Sequence, residues 1–212
     1  LVRSIVLSRA YRLSVADEAQ NAAADPENRL LWRMNRRRLD AESIRDAILA
    51  VAGTLDRSVG GPVIADPKVL GKSGGDMPTE YGHTFTDVRR SVYTPAFRNR
   101  RLELFEAFDG ADPNAVAGTR SSSTVAPQAL YMLNSPFVTE QARAASARLL
   151  AAGLPDDPSR IDAMFRAALG RPPSQVERAT VLATLGSRAD PVAAWPLVIQ
   201  ALYGCIDFRT LE

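Results

Sequence analysis

The chain has 212 residues, of which 46% are hydrophobic and 24% are charged, a composition typical of a globular domain with one sizeable core. A formal net charge of only +2 excludes a strong global field that would draw the chain onto nucleic acid or an anionic membrane. The single cysteine, Cys205, excludes an internal disulfide and a cysteine-based metal site, and the single histidine, His83, argues against a Ser–His–Asp triad.

The front part of the chain, residues 1–59, shows the apolar spacing of amphipathic helices. The spacing predicts a short helix within residues 1–13 and a second over residues 26–37, where an Asp-Pro pair gives the start signal. Asp40 is predicted to cap a third helix, and Gly53 to weaken its last turn. The apolar residues at spacings of four and three that form the buried face of this helix are Ile44, Ile48, Val51 and Leu55.

The densest positive charge of the chain lies in RMNRRRLD, close behind Arg29 and Trp32. One interpretation is a patch for anions or nucleic acid. The other is a solvated helix end, where cations complement the carbonyl dipole and pair with carboxylates such as Asp40, Glu42 and Asp46. Trp32 is the only aromatic residue nearby that could stack on a base, so the second interpretation is favoured. We therefore predict that the chain does not bind nucleic acid.

Between residues 60 and 100 the helical pattern breaks. Glycine and proline are dense in GGPVIADPKVLGKSGGDMPTEYG, which predicts a long irregular insertion. Residues 84–94 are rich in β-branched and aromatic types and predict one or two short strands. His83 has no His, Cys or HxxE partner and is predicted to be a plain surface residue. Cys205 lies in an apolar run near the end of the chain and is predicted to be buried.

A polar segment over residues 101–134, which we call the polar hub, follows the insertion. It is predicted to begin with a short helix over residues 101–109, where Glu103 and Glu106 belong to a charged surface. Such a polar stretch between apolar runs is where a scaffold commonly presents its working groups. Asp112 precedes a proline and is predicted to cap a turn. The candidate ligand-binding residues in and beside the hub are Arg90, Tyr93, Asp109, Asp112, Arg120, Gln128 and Asn134.

Residues 135–212 predict a compact helical array with short connections. Ser174 and Glu177 have the spacing of a capping box. Three pairs combine a capping residue with a proline at the helix start, and they are Ser135–Pro136, Asp157–Pro158 and Asp190–Pro191. A narrow apolar stripe made largely of alanine, which allows close helix contact, is formed by Val138, Ala142, Ala145, Leu149 and Ala152. The apolar faces predicted for the last two helices are Val176, Ala179, Leu182 and Leu185, then Trp195, Ile199, Leu202 and Ile206.

These patterns predict one mainly α domain over residues 1–212, a helical array of about seven to nine helices. It is divided into front helices (1–59), the irregular insertion with one or two short strands (60–100), the polar hub (101–134) and the C-terminal array (135–212). No apolar run reaches the ~18 residues that a membrane-spanning helix needs. The sequence starts with Leu1 in the middle of a helical pattern, so we expect it to be a fragment of a longer protein.

Six segments, in chain order, carry a resemblance to a known family: SIVLSRAYRLS, DPENRLLWRMNRRRLDAESIRDAILAVAG, RRSVYTPAFRN, LELFEAFDGADPN, STVAPQALYMLNSPFV and ALGRPPSQVE. Together they resemble the planctomycete-specific C-terminal domain of unknown function. That domain occurs in large exported proteins that often also carry a planctomycete cytochrome c domain. The chain departs from the expected pattern at Gly110, where we expect an apolar or aromatic residue and predict weaker local packing.

The resemblance implies a periplasmic or cell-surface location and neighbouring domains that bind haem. It supplies no catalytic residues. The chain has no C-x-x-C-H run, so it would not attach haem covalently, and we expect no cofactor and no metal in this part of the protein.

Two functions fit the sequence. The first is a non-catalytic helical module that packs against sister domains or an extracellular protein, which predicts an exposed apolar face. The second is extracellular glycan binding or processing through residues 109–134, because carboxylates, amides, arginines and aromatic rings are the groups that hold sugars. Hydrolysis would need two carboxyl groups about 5–10 Å apart, for which Asp109 and Asp112 are the candidates.

Overall fold

The structure of the protein is a computed structural model that describes residues 1–64, 83–116, 118–120, 123 and 125–211. These residues contain nine α-helices, two 3₁₀ turns and one two-stranded sheet, which confirms the mainly α prediction. The α-helices are α1 (Val2–Val6), α2 (Ala19–Ala24), α3 (Ala41–Ala52), α4 (Glu103–Ala107), α5 (Ala126–Asn134), α6 (Pro136–Leu150), α7 (Asp157–Leu169), α8 (Gln175–Gly186) and α9 (Pro191–Gly204). The 3₁₀ turns are Ser91–Tyr93 and Asp207–Arg209, and the antiparallel strands are β1 (Arg37–Arg38) and β2 (Thr210–Leu211).

Helix α6 lies at the centre of the fold, packed most extensively against α9 and α3. Its buried face carries Ala142 and Ala145, whose small side chains allow the neighbouring helices to approach closely, as predicted. Helix α3 contributes Ile44 and Ile48 to the same core. The largest fully buried side chains are Trp195 and Tyr203, from α9, and Phe108, from the turn after α4.

The starts of α3, α8 and α9 follow the capping signals of the sequence, whereas Ser135, predicted to cap α6, makes no side-chain capping hydrogen bond. Asp40 accepts a hydrogen bond from Ser43 N at 2.8 Å, and Ser174 and Glu177 form the predicted capping box. Asp190 accepts from the first backbone N–H groups of α9. At α7 the capping carboxylate belongs to Asp156, one residue before the predicted Asp157. Each cap satisfies backbone donors that have no partner inside the helix.

Gly53 ends helix α3 instead of weakening its last turn. Its φ of 80° lies in the left-handed region, which glycine adopts without strain. A Cβ atom at this position would lie 2.8 Å from Cδ of Arg148. The Arg148 guanidinium donates to the carbonyl oxygens of Ala50 and Val51, so it satisfies the last carbonyls of α3 from α6.

The predicted helix over residues 26–37 is wrong. The helix in this region is α2, which ends before Asp25. The Asp25 carboxylate then accepts hydrogen bonds from the backbone N–H groups of Arg29 and Leu30, at 2.9 and 2.7 Å. An aspartate side chain that binds nearby backbone groups favours turns over helix. The arginine-rich run is therefore not a helix end, and its partners differ from those predicted: Arg33 pairs with Asp17 and Arg38 with Asp109.

The strands predicted over residues 84–94 are also wrong in position. That segment contains the Ser91–Tyr93 turn and an isolated bridge between Asp56 and Arg89, while the paired strands lie at residues 37–38 and 210–211. Most of the predicted irregular insertion, residues 65–82, lies outside the described residues.

Side chains of α3 take the place of a neighbouring strand for this segment. The buried guanidinium of Arg45 donates to the carbonyl oxygens of Asp87 and Arg89, and Asp46 accepts from both N–H and hydroxyl of Ser91. These bonds satisfy backbone groups that a sheet would otherwise pair.

Several predicted apolar contacts differ in the structure. Cys205 is exposed, not buried, because α9 ends before it. Ile206 is also exposed, and in α8 the predicted apolar face buries only Leu185. The helix predicted within residues 1–13 is the short α1, which has no buried residue.

Candidate functional site

The carboxylate of Asp109 is the centre of a cluster of polar side chains in the polar hub. It accepts hydrogen bonds from Ser123 N at 2.8 Å, from Ser123 Oγ at 2.8 and 3.0 Å, and from Arg38 Nη1 at 3.0 Å. Asp109 itself has a φ of 59°, a left-handed conformation that aspartate tolerates better than most residues. Burial alone would raise its pKa, but the bonds from Ser123 and Arg38 outweigh burial and hold the pKa of Asp109 below its usual range.

Arg38 and Gln128 complete this group, which we call the Asp109 cluster (Arg38, Asp109, Ser123 and Gln128). Arg38 Nη1 and Gln128 Nε2 both donate to the carbonyl oxygen of Ser123. Gln128 is almost fully buried, and the side chains of Arg38 and Asp109 are 17% and 19% exposed. Within the described part of the chain, Arg38 Nη2 and Gln128 Oε1 are buried without a hydrogen-bond partner. The cluster thus connects β1, the turn after α4 and helix α5.

The Phe108 ring contacts arginines from two places, the Asp109 cluster and the last 3₁₀ turn. The guanidinium carbons of Arg38 and Arg209 lie 5.7 and 5.9 Å from the centroid of its buried ring. Burial and the neighbouring charge of Arg38 lower the pKa of Arg209. Two cations thus lie against one aromatic ring, and one of them, Arg38, also pairs with the carboxylate of Asp109.

Gly110 is required by this packing, contrary to the prediction that it weakens it. A Cβ atom at residue 110 would lie 2.8 Å from both Cβ and the carbonyl oxygen of Phe105, closer than such contacts normally come. The Gly110 N–H also donates to that carbonyl at 2.7 Å. Glycine at residue 110 therefore allows its backbone to approach Phe105 closely.

Asp112 and Arg120 line a groove of about 400 Å³ together with Asp109. Asp112 accepts from Asn114 N at 2.9 Å, so it caps a turn as predicted. Arg120 binds both carboxylate oxygens of Glu42, at 2.6 and 2.9 Å, and this pair raises the pKa of Arg120. The groove is thus lined by side chains that already have partners within the fold.

The remaining candidates lie elsewhere. Tyr93 Oη accepts from Gly60 N at 2.7 Å, and the Arg89 guanidinium lies 4.9 Å from its ring centroid. Arg90 precedes that turn, and its side chain is exposed. Asn134 ends helix α5 and donates to Leu130 O at 2.9 Å. The structure therefore brings Asp109 and Gln128 together through Ser123, but it places Arg90, Tyr93 and Asn134 apart from them.

Asn134 lines a second, larger groove between α4 and α5, of about 600 Å³. Glu103, Glu106, Tyr131 and Ser135 also line it. Sequence reasoning assigned the two glutamates to a charged surface and did not place a groove beside them. The sequence carried no signal for this groove, because Glu103 and Glu106 lie far before Pro127 in the chain and meet it only in the fold.

His83 is half-buried rather than a plain surface residue. Its ring meets those of Phe85 and Phe97 edge-on, with centroids 4.9 and 5.3 Å away. Burial and the nearby Arg100 lower the pKa of His83. Across the described ranges, three or more His, Cys, Asp or Glu side chains nowhere come together in a way that could hold a metal ion. None of the helices described above is both long and apolar enough to cross a membrane.

The fold and its polar cluster define a mainly α-helical domain whose halves are joined by a partly buried arginine–aspartate pair. The chain belongs to the PSD1 family, described as "Protein of unknown function (DUF1553)", whose family model matches residues 1–185. The match confirms that this is a domain of a family without assigned function. Neither the curated proteins nor the solved structures contain a match to the chain.

Proposed function

We propose that this chain is a non-catalytic helical module of a larger exported protein, and that its front segment, residues 1–38, docks against a sister domain. The observation that carries the proposal is the uneven use of apolar side chains. Val15 is the one buried apolar side chain of residues 1–38, and it lies outside the contiguous hydrophobic core, which begins with Leu39 and Ala41. The large apolar side chains that this segment exposes are Leu1, Val2, Ile5, Val6, Leu7, Tyr11, Leu30, Leu31 and Met34.

Helix α1 supports the proposal because it is too short to be stable alone. It has five residues, and isolated helices below about 12 residues are marginal in water. Most helical stability comes from burying an apolar face, yet Val2 and Ile5 are 74% and 50% exposed. A partner that covered this face would stabilise the helix by about 25 cal/mol for each Å² of apolar surface removed from water.

The Leu30–Leu31 pair is the second part of the same surface. The two side chains are 83% and 64% exposed. Leu31 has a φ of 55°, which a residue with a branched apolar side chain rarely adopts. The turn around it is fixed by Asp25 and by Asn28, whose amide donates to Arg33 O at 2.8 Å. A rigid turn that holds an exposed apolar pair is typical of a contact surface.

The proposal also includes where the parent protein is located and which domains lie beside this one. We place it in the periplasm or at the cell surface, beside domains of the haem-binding type that the resemblance implies. The support for this part is the set of six sequence segments alone.

The docking role can be tested with two separate chains. Residues 1–212 and the rest of the parent polypeptide would be produced independently and titrated by isothermal calorimetry. The double substitution Leu30→Ser/Leu31→Ser is expected to weaken binding about tenfold or more, as for central apolar contacts of an interface. Val176→Ser removes an equally exposed apolar side chain from α8 and serves as the control. Equal affinity of wild type and the double variant would contradict the proposal.

Carbohydrate binding is a second candidate, favoured by one observation. The groove lined by Asp109, Asp112 and Arg120 combines carboxylates with a guanidinium in an open depression. A glycan array with wild-type protein and the Asp112→Asn variant tests it, because Asp112 lines the groove and is not part of the Asp109 cluster. Specific binding that the variant loses would support a carbohydrate site. Absence of binding to any glycan would remove this candidate and leave the docking proposal untouched.

A further inference from the structure

We infer that the groove between α4 and α5 is a docking site for a segment of a partner polypeptide that presents an arginine or lysine next to an apolar residue. The inference rests on the proposed interaction role and adds a second surface to it, with a stated partner chemistry. The side chains that argue for it are Glu103, Glu106, Pro127, Leu130, Tyr131 and Pro136.

The charge of the groove selects a cation. Both charged residues that line it are glutamates. Glu106 is partly neutralised by Arg101, whose Nε lies 3.4 Å from its carboxylate. Glu103 is exposed and has no ion pair among the residues that the structure describes. An anionic ligand such as a phosphate would be repelled here, whereas a guanidinium or ammonium would be attracted.

The rest of the groove is apolar and fits the stem of a basic side chain. Leu130 is 58% exposed although it lies on the same helix as the fully buried Met132, so α5 presents one apolar face to the core and another to solvent. Pro127 and Pro136 flank it. Lysine and arginine lay their methylene groups on such surfaces while the charged end stays near water. Tyr131, whose ring packs against Phe108, also lines the groove.

Size and shape agree with a peptide segment. The groove measures about 600 Å³, within the range of small-ligand sites, and is too open to enclose a small molecule by itself. An adjoining groove of about 480 Å³ is also lined by Arg100, Arg101 and Phe137. The residues that the two grooves share are Glu103, Glu106, Tyr131, Ser135 and Pro136. Two connected depressions suit an extended chain that places one side chain in each. The buried residue Ser135 lines both depressions.

The test is an NMR titration of the ¹⁵N-labelled chain with acetyl-Leu-Arg-amide. Shifts are expected in residues 103–107 and 127–136. Acetyl-Leu-citrulline-amide has the same shape without the charge and is expected to bind about threefold to fivefold more weakly, the contribution of a half-exposed ion pair. Acetyl-Leu-Glu-amide is expected to cause no shift in the groove.

Variants separate this inference from the docking proposal. Glu103→Gln is expected to lower the affinity for the arginine peptide by the same threefold to fivefold. Leu130→Ser is expected to lower the affinity for both the arginine and the citrulline peptides. Glu27→Gln changes an exposed glutamate of the front segment and serves as the control. Equal binding of the arginine and citrulline peptides, or shifts caused by cellobiose instead, would overturn the inference. Those outcomes leave the front-segment docking intact, because its calorimetric test uses Leu30 and Leu31.

Discussion

Asp109 accepts a hydrogen bond from Arg38 at 3.0 Å, although the two residues lie 71 positions apart in the chain. The pair joins the front of the domain to the polar hub. Both side chains are less than one-fifth exposed, so water does little to screen their interaction. Removing one partner of such a pair leaves the other charge poorly compensated, which is more costly than the pair is stabilising.

The first prediction concerns the charge of Asp109. Asp109→Asn is expected to lower the free energy of unfolding by about 2–3 kcal/mol, because hydrogen bonds to charged groups contribute about that much. Asparagine tolerates the left-handed φ of this position, so the substitution isolates the charge from backbone strain. Urea denaturation measures the change. Asp112→Asn, at the neighbouring capping carboxylate, is the control and is expected to cost less than about 1 kcal/mol. An equal decrease in the free energy of unfolding for both variants would contradict the prediction that the Asp109 carboxylate stabilises the fold more than the Asp112 carboxylate does.

The second prediction concerns pH. Arg171 donates to both oxygens of Glu177, at 3.0 and 2.8 Å, and lowers the pKa of Glu177 from 4.5 to about 2. A carboxylate with a lowered pKa in the folded state stabilises the fold above its unfolded pKa, and that contribution is lost as pH falls. The melting temperature of wild type is therefore expected to fall between about pH 4.5 and 2 more steeply than that of Glu177→Gln.

Glutamine can still accept the backbone bond of the capping box, so Glu177→Gln removes the charge and keeps the cap. Glu27→Gln, in the front segment, serves as the control for loss of a carboxylate elsewhere. Parallel melting curves for wild type and Glu177→Gln over this pH range would disprove the prediction.

The third prediction concerns Gly110. Gly110→Ala is expected to destabilise the domain by about 1–3 kcal/mol, because its Cβ would lie 2.8 Å from Phe105 and force the backbone to shift. Thermal or urea unfolding measures the loss. Gly118→Ala is the matched control in the same hub, since a Cβ there would meet nothing within 4 Å. A neutral Gly110→Ala would show that the two backbone segments separate without cost.

The fourth prediction concerns Arg45. Arg45→Met is expected to cost about 2–4 kcal/mol, because the carbonyls of Asp87 and Arg89 and the carboxylate of Asp46 lose a buried cationic donor. Amide hydrogen exchange is expected to speed up over residues 89–94 before global unfolding. Arg143→Met, at an exposed position of α6, is the control. Unchanged exchange rates in this segment would mean that Arg45 does not hold it.

The fifth prediction concerns helix α9, which lies beyond the family match that ends at residue 185. The helix supplies Trp195, Ile199 and Tyr203 to the core. A chain truncated after residue 186 is therefore expected to lose its cooperative unfolding transition and near-ultraviolet circular dichroism. Removing residues 1–13 is the control, and it is expected to keep both, because those residues contribute no side chain to the core. Cooperative unfolding of the chain truncated after residue 186 would refute this.

The helices of the core were predictable because their signals are local. Asp40, Ser174 and Asp190 cap helices in the way that their spacing to the following residues indicates. Periodicity predicted the buried faces of α3 and α6, except that Leu55 and Ala152, which were assigned to these faces, lie beyond the helix ends. The helix predicted over residues 26–37 failed because the Asp25 side chain binds two backbone N–H groups that the helix would need.

The polar contacts between distant residues could not be predicted from the sequence in the way that the helices could. The partners of Asp109 and Arg120, namely Arg38 and Glu42, lie 71 and 78 positions away, and no local pattern marks either pair. Strands of two residues carry no alternation, so β1 and β2 left no signal in the sequence. The need for Gly110 arises from a backbone approach that exists only after the hub has folded.

The pairing of β1 with β2 has a kinetic consequence. Arg37 lies opposite Leu211, and Leu39 N donates to Arg209 O at 2.8 Å, so the residues that precede α3 bind the last residues of the described chain. Contacts between such distant positions form slowly, because a long loop must close before they contribute. During synthesis, which proceeds from the amino terminus, the Phe108 ring would lack the guanidinium of Arg209 until that residue had been made. The fold therefore closes after translation of this region rather than during it.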